Sequence, residues 1–325
     1  MPDSPPQPGL LDRLAAILGP RGLLTDPNDI APHLADWRAL YRGASLAVAR
    51  PASTEEVAAV VRLCAETRTP IVPQGGNTSM VGGATPDESG RAIVVSLSRL
   101  NRIRGLDTDD MTMTAEAGLV LKAAQDAAAE GTATIGGVLS TNAGGNTTVR
   151  YGNARELMLG LEAVLPDGSI WNGLRRLRKD NTGYALRHLL VGAEGTLGIV
   201  TAAVLRLFPR PHDAAVAFCA VADEDAALAL FRRFRDRDES AVRAFEYISG
   251  TFETGTETSF FTLAPSRFCA SGCSSRMRQS FWAAASESAI VASSTSPASK
   301  AASSTDSARP RSPASGRGEA RSTST

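Results

Sequence analysis

The chain has 325 residues, 43% hydrophobic and 21% charged, with 34 basic residues against 34 acidic ones. That length suits one large domain or two, and a zero net charge gives no electrostatic footprint for nucleic acid. No run reaches the roughly 20 apolar residues of a membrane-spanning helix. The opening stretch MPDSPPQPGLLDRLAAILGPRG lacks a basic start followed by an apolar core, so a soluble, cytoplasmic protein is expected.

Leu10 to Leu18 has helical spacing and stops at Gly19-Pro20. Residues 29 to 41 predict a second helix, with Trp37 and Tyr41 on one face as core contacts. Ser45 to Arg50 reads as a strand. Ser53 or Thr54, followed by Glu55 and Glu56, opens a helix whose apolar stripe is Val57, Val60, Val61 and Cys64. The apolar pair Ile71 and Val72 then breaks at Pro73 into a loop carrying Gly75, Gly76, Gly82 and Gly83 around Asn77, Thr78 and Ser79. Glycines admit positive φ and leave no Cβ in the way, so consecutive N–H groups can converge on an anion, with Thr78 and Ser79 adding hydroxyls. The loop lacks the Lys of a P-loop and the spacing of a Rossmann turn. It has no Lys or Arg, so a diphosphate there would be neutralised by amide dipoles and helix N-termini. Taken alone, this loop fits an idle turn as well as a ligand site.

Strands are expected at Ala92 to Leu97, Arg102 to Leu106 and Met111 to Ala115, followed by an Ala-rich helix from Leu119 to Glu130. A second glycine block, residues 131 to 152, spaces Gly136, Gly137, Gly144, Gly145 and Gly152 among Ser140, Thr141, Asn142, Thr147 and Thr148. Leu161 to Leu165, the turn Pro166-Asp167-Gly168 and a strand through Ile170 and Trp171 form a hairpin signal, with Pro166 setting φ and Gly168 taking the left-handed position. A third block from Lys179 to Pro211 puts Gly192, Glu194, Gly195 and Gly198 before a β-branched run. Three separated glycine blocks suit one elongated ligand threaded between two subdomains.

From about Ser45 to Pro211, most densely in IGGVLSTNAGG and VGAEGTLGIVT, the sequence resembles the FAD-binding domain shared by vanillyl-alcohol oxidase and p-cresol methylhydroxylase. Within that group it is most similar to the FAD-linked D-2-hydroxy-acid dehydrogenases, such as D-lactate dehydrogenase, the glycolate oxidase flavin subunit and D-2-hydroxyglutarate dehydrogenase. The resemblance implies an α+β, two-subdomain fold binding FAD through Pro73, Gly75, Gly76, Asn77, Thr78, Gly82, Gly136, Gly137, Ser140, Thr141, Asn142, Gly144, Gly152, Glu194, Gly195, Ile199 and Val200. Amides of Gly75, Gly76, Asn77 and Thr78 would hold the diphosphate, with Ser140 and Thr141 opposite. Because Gln74 to Gly83 contains neither His nor Cys, noncovalent FAD is expected. The implied reaction is hydride transfer from a D-2-hydroxy acid to the flavin, then electron delivery to a carrier protein or quinone. The family carries a further Phe-Pro segment where this chain runs from Glu130 straight to Gly131.

The expected organisation is 1–44 as an N-terminal helical segment, 45–211 as the FAD-binding domain, 212–248 as an incomplete α/β cap, and 249–325 as a low-complexity tail. Pro209-Arg210-Pro211 marks the boundary before a cap strand at Ala215 to Val221 and a helix at Glu224 to Phe234. No aromatic follows Trp282, and Ser, Thr and Ala fill 22 of the last 35 positions, a composition unable to offset chain entropy by apolar burial. That tail is expected to be disordered, and its abrupt start suggests a frame-shifted or truncated dehydrogenase, at best weakly active. The alternative is a flavin-binding remnant, or a subunit needing a second chain for its cap. The family's His-x-Gly-Asp-Gly-Asn motif is absent, so no catalytic residue is assigned. Cys269 and Cys273 lack a second pair or a nearby His, and His33, His188 and His212 are scattered, so no metal site is expected.

Overall fold

Helix α1 (Leu10–Leu18) buries Leu10, Leu14 and Leu18, the i, i+4, i+8 stripe its spacing predicted. In this computed structural model the described residues are 9–121, 133–209, 215–239, 242–248, 257–263 and 290–293. The chain divides into two units, Met1–Ser293 and Ser294–Thr325, of which only the first contains described residues.

The first sheet has the order β1 (Leu23–Leu24), β2 (Ala47–Ala49), β4 (Ile93–Ser96), β3 (Ile71–Gln74). Strands β2 and β3 both run parallel to β4, and β1 adds an antiparallel edge. Between β2 and β3 lies helix α3 (Thr54–Glu66), the crossover that parallel pairing requires. Its start is fixed locally: the Ser53 hydroxyl accepts the Glu56 amide at 3.2 Å, and the Glu56 carboxylate reaches back to the Ala52 amide at 2.7 Å. Val57, Val60, Val61 and Cys64 are buried along it as the sequence predicted, each valine contributing about 1.5–2 kcal/mol of transfer free energy. Burial also pushes the Cys64 thiol up to about 12.

The expected helix over 29–41 does not form. Helix α2 (Pro27–Ile30) gives way to a 3-10 turn at Ala31–His33. The buried Asp36 carboxylate then captures the amides of Arg38 (3.2 Å) and Tyr41 (2.7 Å), and Ala39 turns through φ 56°. A side-chain acceptor that competes for backbone donors in this way ends a helix. The turn carries Trp37 and Tyr41 outward, 67% and 50% exposed, instead of into the core.

The second sheet is antiparallel, with order β5 (Ile103–Asp107), β6 (Thr112–Glu116), β9 (Ile199–Arg206), β7 (Met158–Val164), β8 (Ile170–Gly173). The Pro166 to Gly168 turn joins β7 and β8 as expected, with Gly168 at φ 78°. One apolar core joins both sheets through Leu14, Val57, Ile93, Leu100, Leu139 and Leu161. The expected Ala-rich helix lies mostly outside the described residues, but its flanks meet: Val120 bridges Thr134, and the Leu121 amide donates to Ala133 O at 2.8 Å.

Beyond residue 214, β10 (Ala215–Val221) is central in a third sheet of order β11 (Val242–Ile248), β12 (Glu257–Leu263), β10, β13 (Ile290–Ser293). Asp223 caps the helix Glu224–Arg237, accepting the Ala226 amide at 2.7 Å, and Phe231 of that helix meets Phe245 edge-on at 4.9 Å. Two of these strands, β12 and β13, fall after Ser249. Cys269, Cys273, His212 and nearly all of the predicted tail lie outside the described residues.

Candidate functional site

A cavity of about 270 Å³ opens beyond the C-terminal ends of the parallel strands β3 and β4, where open α/β sheets bind ligands. Its first wall is the loop that follows β3, residues 75 to 84. Its second is helix α4 (Ile135–Ser140) with Thr134, and its third is the run from Glu194 to Val200 leading into β9.

The three glycine blocks therefore meet at one place. Of the residues singled out in the sequence, Pro73, Gly75, Gly76, Asn77, Thr78, Gly136, Gly137, Ser140, Thr141, Glu194, Gly195, Ile199 and Val200 line this cavity. Four others stand outside it. Gly82 lies under the Tyr41 ring, 2.9 Å from where its Cβ would be. Asn142 uses its Oδ1 to accept the Arg155 amide at 3.0 Å, Gly144 packs on Asn153, and Gly152 ends the helix α5 (Thr148–Tyr151) at φ 78°. The sequence reading missed Gln74, Leu97 and Thr134. For Thr134 a signal existed, since a threonine before an apolar helical start is an N-cap pattern; its hydroxyl accepts the Gly137 amide at 3.4 Å.

The walls are held by backbone. Gly192 N donates to Leu139 O (3.1 Å) and Glu194 N to Ser140 O (2.9 Å), which fixes the third wall against the second. Gly136 N donates to Ala117 O (2.7 Å), so the start of α4 is already engaged. By contrast, the amides of Gly75, Asn77 and Thr78 have no acceptor among the described residues. Glycine is required where the walls are closest: a Cβ on Gly75 would stand 2.4 Å from the Thr134 hydroxyl. Gly195, at φ 79°, lies against the Pro73 ring. Glu194 is the only ionisable side chain among the described lining residues.

A second polar cluster lies between the two sheets. The Thr54 and Thr201 hydroxyls and the Arg104 guanidinium all donate to Glu162 Oε1, at 2.7, 2.8 and 2.9 Å. Glu116, fully buried, accepts from the Arg102 amide (2.9 Å), the Arg102 guanidinium (3.0 Å) and Arg104 (3.2 Å). Burial alone would raise the Glu116 carboxyl, but the Arg102 and Arg104 hydrogen bonds outweigh it and hold it below the usual carboxylate range. His188, in the helix Arg187–Leu190, does not line the cavity. Its carbonyl takes the Arg155 guanidinium, and burial, followed by the nearby Arg187 and Arg155 charges, lowers its imidazole.

The cavity suits a dinucleotide in kind. It offers unengaged amides, hydroxyls at Thr78, Ser140 and Thr141, a close approach only glycine permits, and a buried Asn77 Oδ1 without a partner among the described residues. Residues 45–173 match the FAD binding domain family. Among solved structures, the chain is similar to alkyldihydroxyacetonephosphate synthase (TM-score 0.72, 20% identity, 92% of this chain and 63% of that one). It is also similar to p-cresol methylhydroxylase (TM-score 0.67, 17% identity, 87% and 65%). The chain thus carries an FAD-binding domain with the p-cresol methylhydroxylase type of fold, and FAD is its cofactor. Its sequence is 40% identical to the mitochondrial D-2-hydroxyglutarate dehydrogenase of Bos taurus over 253 residues, 73% of this chain and 46% of that protein. It is 36% identical to the D-2-hydroxyglutarate–pyruvate transhydrogenase of Saccharomyces cerevisiae over 246 residues, 71% and 49%. The chain spans about half the length of these curated relatives. Among the described residues, no helix is long and apolar enough to cross a membrane.

Proposed function

We propose that this chain is the flavin-binding part of an FAD-dependent oxidoreductase that oxidises a D-2-hydroxy acid of the D-lactate, glycolate or D-2-hydroxyglutarate class. The observation that carries the reading is the convergence of three glycine blocks on one cavity, in a chain 40% identical to a D-2-hydroxyglutarate dehydrogenase. FAD, when bound, supplies the hydride acceptor. The residues of this chain bind and orient it: the amides of Gly75, Asn77 and Thr78 take the diphosphate without a cation, Ser140 and Thr141 face them, and Glu194 to Val200 close the third side. The loop from Gln74 to Gly83 offers no His or Cys for attachment, so binding is noncovalent. Electrons leave to a carrier protein or quinone. The cytoplasmic location stays part of this proposal, although the curated relatives carry mitochondrial names; cell fractionation decides it.

Acid precipitation of the purified yellow protein is expected to release flavin to the supernatant, and anaerobic D-2-hydroxyglutarate or D-lactate is expected to bleach the bound flavin slowly. A second reading, a flavin-binding chain that needs another chain for turnover, is favoured by one fact: Glu194 is the only candidate base among the described lining residues. Flavin that stays yellow with every D-2-hydroxy acid selects it. The frame-shift reading of residues 249–325 is tested by translating the coding DNA after Ser249 in the other two frames. A His-x-Gly-Asp-Gly-Asn block in either supports it.

A further inference from the structure

The FAD binding domain match begins at residue 45, yet the first glycine loop is anchored to residues before it. Gln74, the last residue of β3, is 1% exposed and lies at the cavity. Its amide nitrogen donates to Ala84 O at 2.9 Å and to His33 O at 3.0 Å, and its Oε1 meets the His33 Nδ1. One side chain therefore ties the beginning of the glycine loop to its end and both to residue 33. Three residues on, Asn77 sits at φ 52°, a region asparagine tolerates better than most residues. Its Nδ2 donates to Ala35 O (2.8 Å) and Pro32 O (3.3 Å), while its Oδ1 is buried without a partner among the described residues. Farther along, Tyr41 lies on Gly82, and Arg38 reaches the Met80 sulfur at 3.0 Å. The loop thus rests at four places on the segment from His33 to Tyr41 and its neighbour Pro32, and the Asp36 carboxylate ties Arg38 and Tyr41 of that segment together.

The loop contains no lysine or arginine, so its hold on an anion depends on where its amides point. We propose that Gln74 and Asn77 are positioning residues that hold the first glycine loop in its ligand-binding shape from residues 32–35, making that upstream segment a structural part of the FAD site. This rests on the reading that FAD lies in the cavity. Each side chain spends its donors on carbonyls of the segment and so sets the direction of the Gly75, Asn77 and Thr78 amides. The free Asn77 Oδ1 is left as an acceptor for a hydroxyl or N–H of the ligand.

The test is titration of apoprotein with FAD, followed by flavin fluorescence well below the unfolding midpoint, for Gln74→Met, Asn77→Asp and, as a cavity control, Gly75→Val. Gln74→Met removes the amide without adding charge; Asn77→Asp keeps the side-chain shape and the tolerance for positive φ but turns a donor into an acceptor facing two carbonyls. Each is expected to raise the FAD Kd about tenfold with the far-UV circular dichroism unchanged, while Gly75→Val removes binding. Residues that served the fold alone would lower the apoprotein Tm and leave Kd within twofold, and that result overturns the proposal. If Gly75→Val loses FAD and the other two do not, the positioning role falls and the site stands. If all three bind like wild type, the site itself is elsewhere and both fall. Should Gln74→Met not fold, Asn77→Asp, in the partly exposed loop, decides alone.

Discussion

The two polar regions between the parallel module and the five-stranded sheet are built in opposite ways. Around Glu116 and Glu162, charged side chains satisfy one another: three donors converge on a single Glu162 oxygen, and Glu116 is gripped by two arginines. In the glycine cavity the groups are backbone amides and hydroxyls, the Gly75, Asn77 and Thr78 amides have no acceptor among the described residues, and Asn77 Oδ1 is left over. Burying a polar group without a partner is costly, so the first arrangement is complete as a structure, whereas the half-buried amides of the second and its buried Asn77 Oδ1 are available to a ligand. Perturbed ionisation is therefore a poor guide to this protein's site. The lowered Glu116 carboxyl marks a joint, whereas the cavity is marked by unengaged backbone and by glycines that cannot accept a Cβ.

The contrast is broken most severely by Gly75→Val, whose side chain would collide with the Thr134 hydroxyl across the cavity. FAD affinity is expected to fall at least a hundredfold by fluorescence titration, with the fold retained by circular dichroism. Next is Arg104→Met. It leaves the Glu162 charge with only the Thr54 and Thr201 hydroxyls and weakens the grip on Glu116, so denaturant unfolding is expected to show a loss of about 3 kcal/mol with FAD affinity within threefold of wild type. A pH series sharpens the same point. The folded Glu116 pKa lies below its unfolded value near 4.5, so its contribution is fully present above that pH and is lost as pH falls through the lower folded value. Urea midpoints are expected to drop across that acid window, and Glu116→Gln, less stable at neutral pH, is expected to flatten the dependence. Smallest is Ser53→Ala at the cap of α3, expected to cost about 1 kcal/mol of stability and nothing in flavin binding.

What could be read in advance follows whether the cause is local. α1 and α3 carry their own period and stop or cap signals, and the β7–β8 hairpin carries its turn chemistry, so those elements stood in the sequence. The glycine blocks were visible as blocks, but their spacing does not say which members face inward. Gly82, Asn142, Gly144 and Gly152 shape turns and caps behind the lining, a distinction set by partners such as Tyr41 and Asn153 that are far off or outside the pattern. Trp37 and Tyr41 misled because a helical period cannot reveal that the Asp36 carboxylate will bury and take the backbone donors. Gln74 read as the first residue of the glycine loop, whereas it closes the strand β3. Its importance exists only once His33 and Ala84 are brought to it.

Whether the glycine cavity, rather than the arginine–glutamate joint, holds the cofactor is decided by the change in Tm on adding saturating FAD to apoprotein. Wild type, Arg104→Met and Gly75→Val are compared side by side. A ligand that binds only the folded protein raises its Tm by an amount that grows with the logarithm of its concentration over Kd. Arg104→Met is expected to start from a lower Tm but to gain about as much from FAD as wild type, while Gly75→Val, itself lowered by the collision with the Thr134 cap, is expected to gain little or nothing. A full FAD-induced rise in Gly75→Val, or its loss in Arg104→Met, would contradict the placement of the cofactor in the glycine cavity.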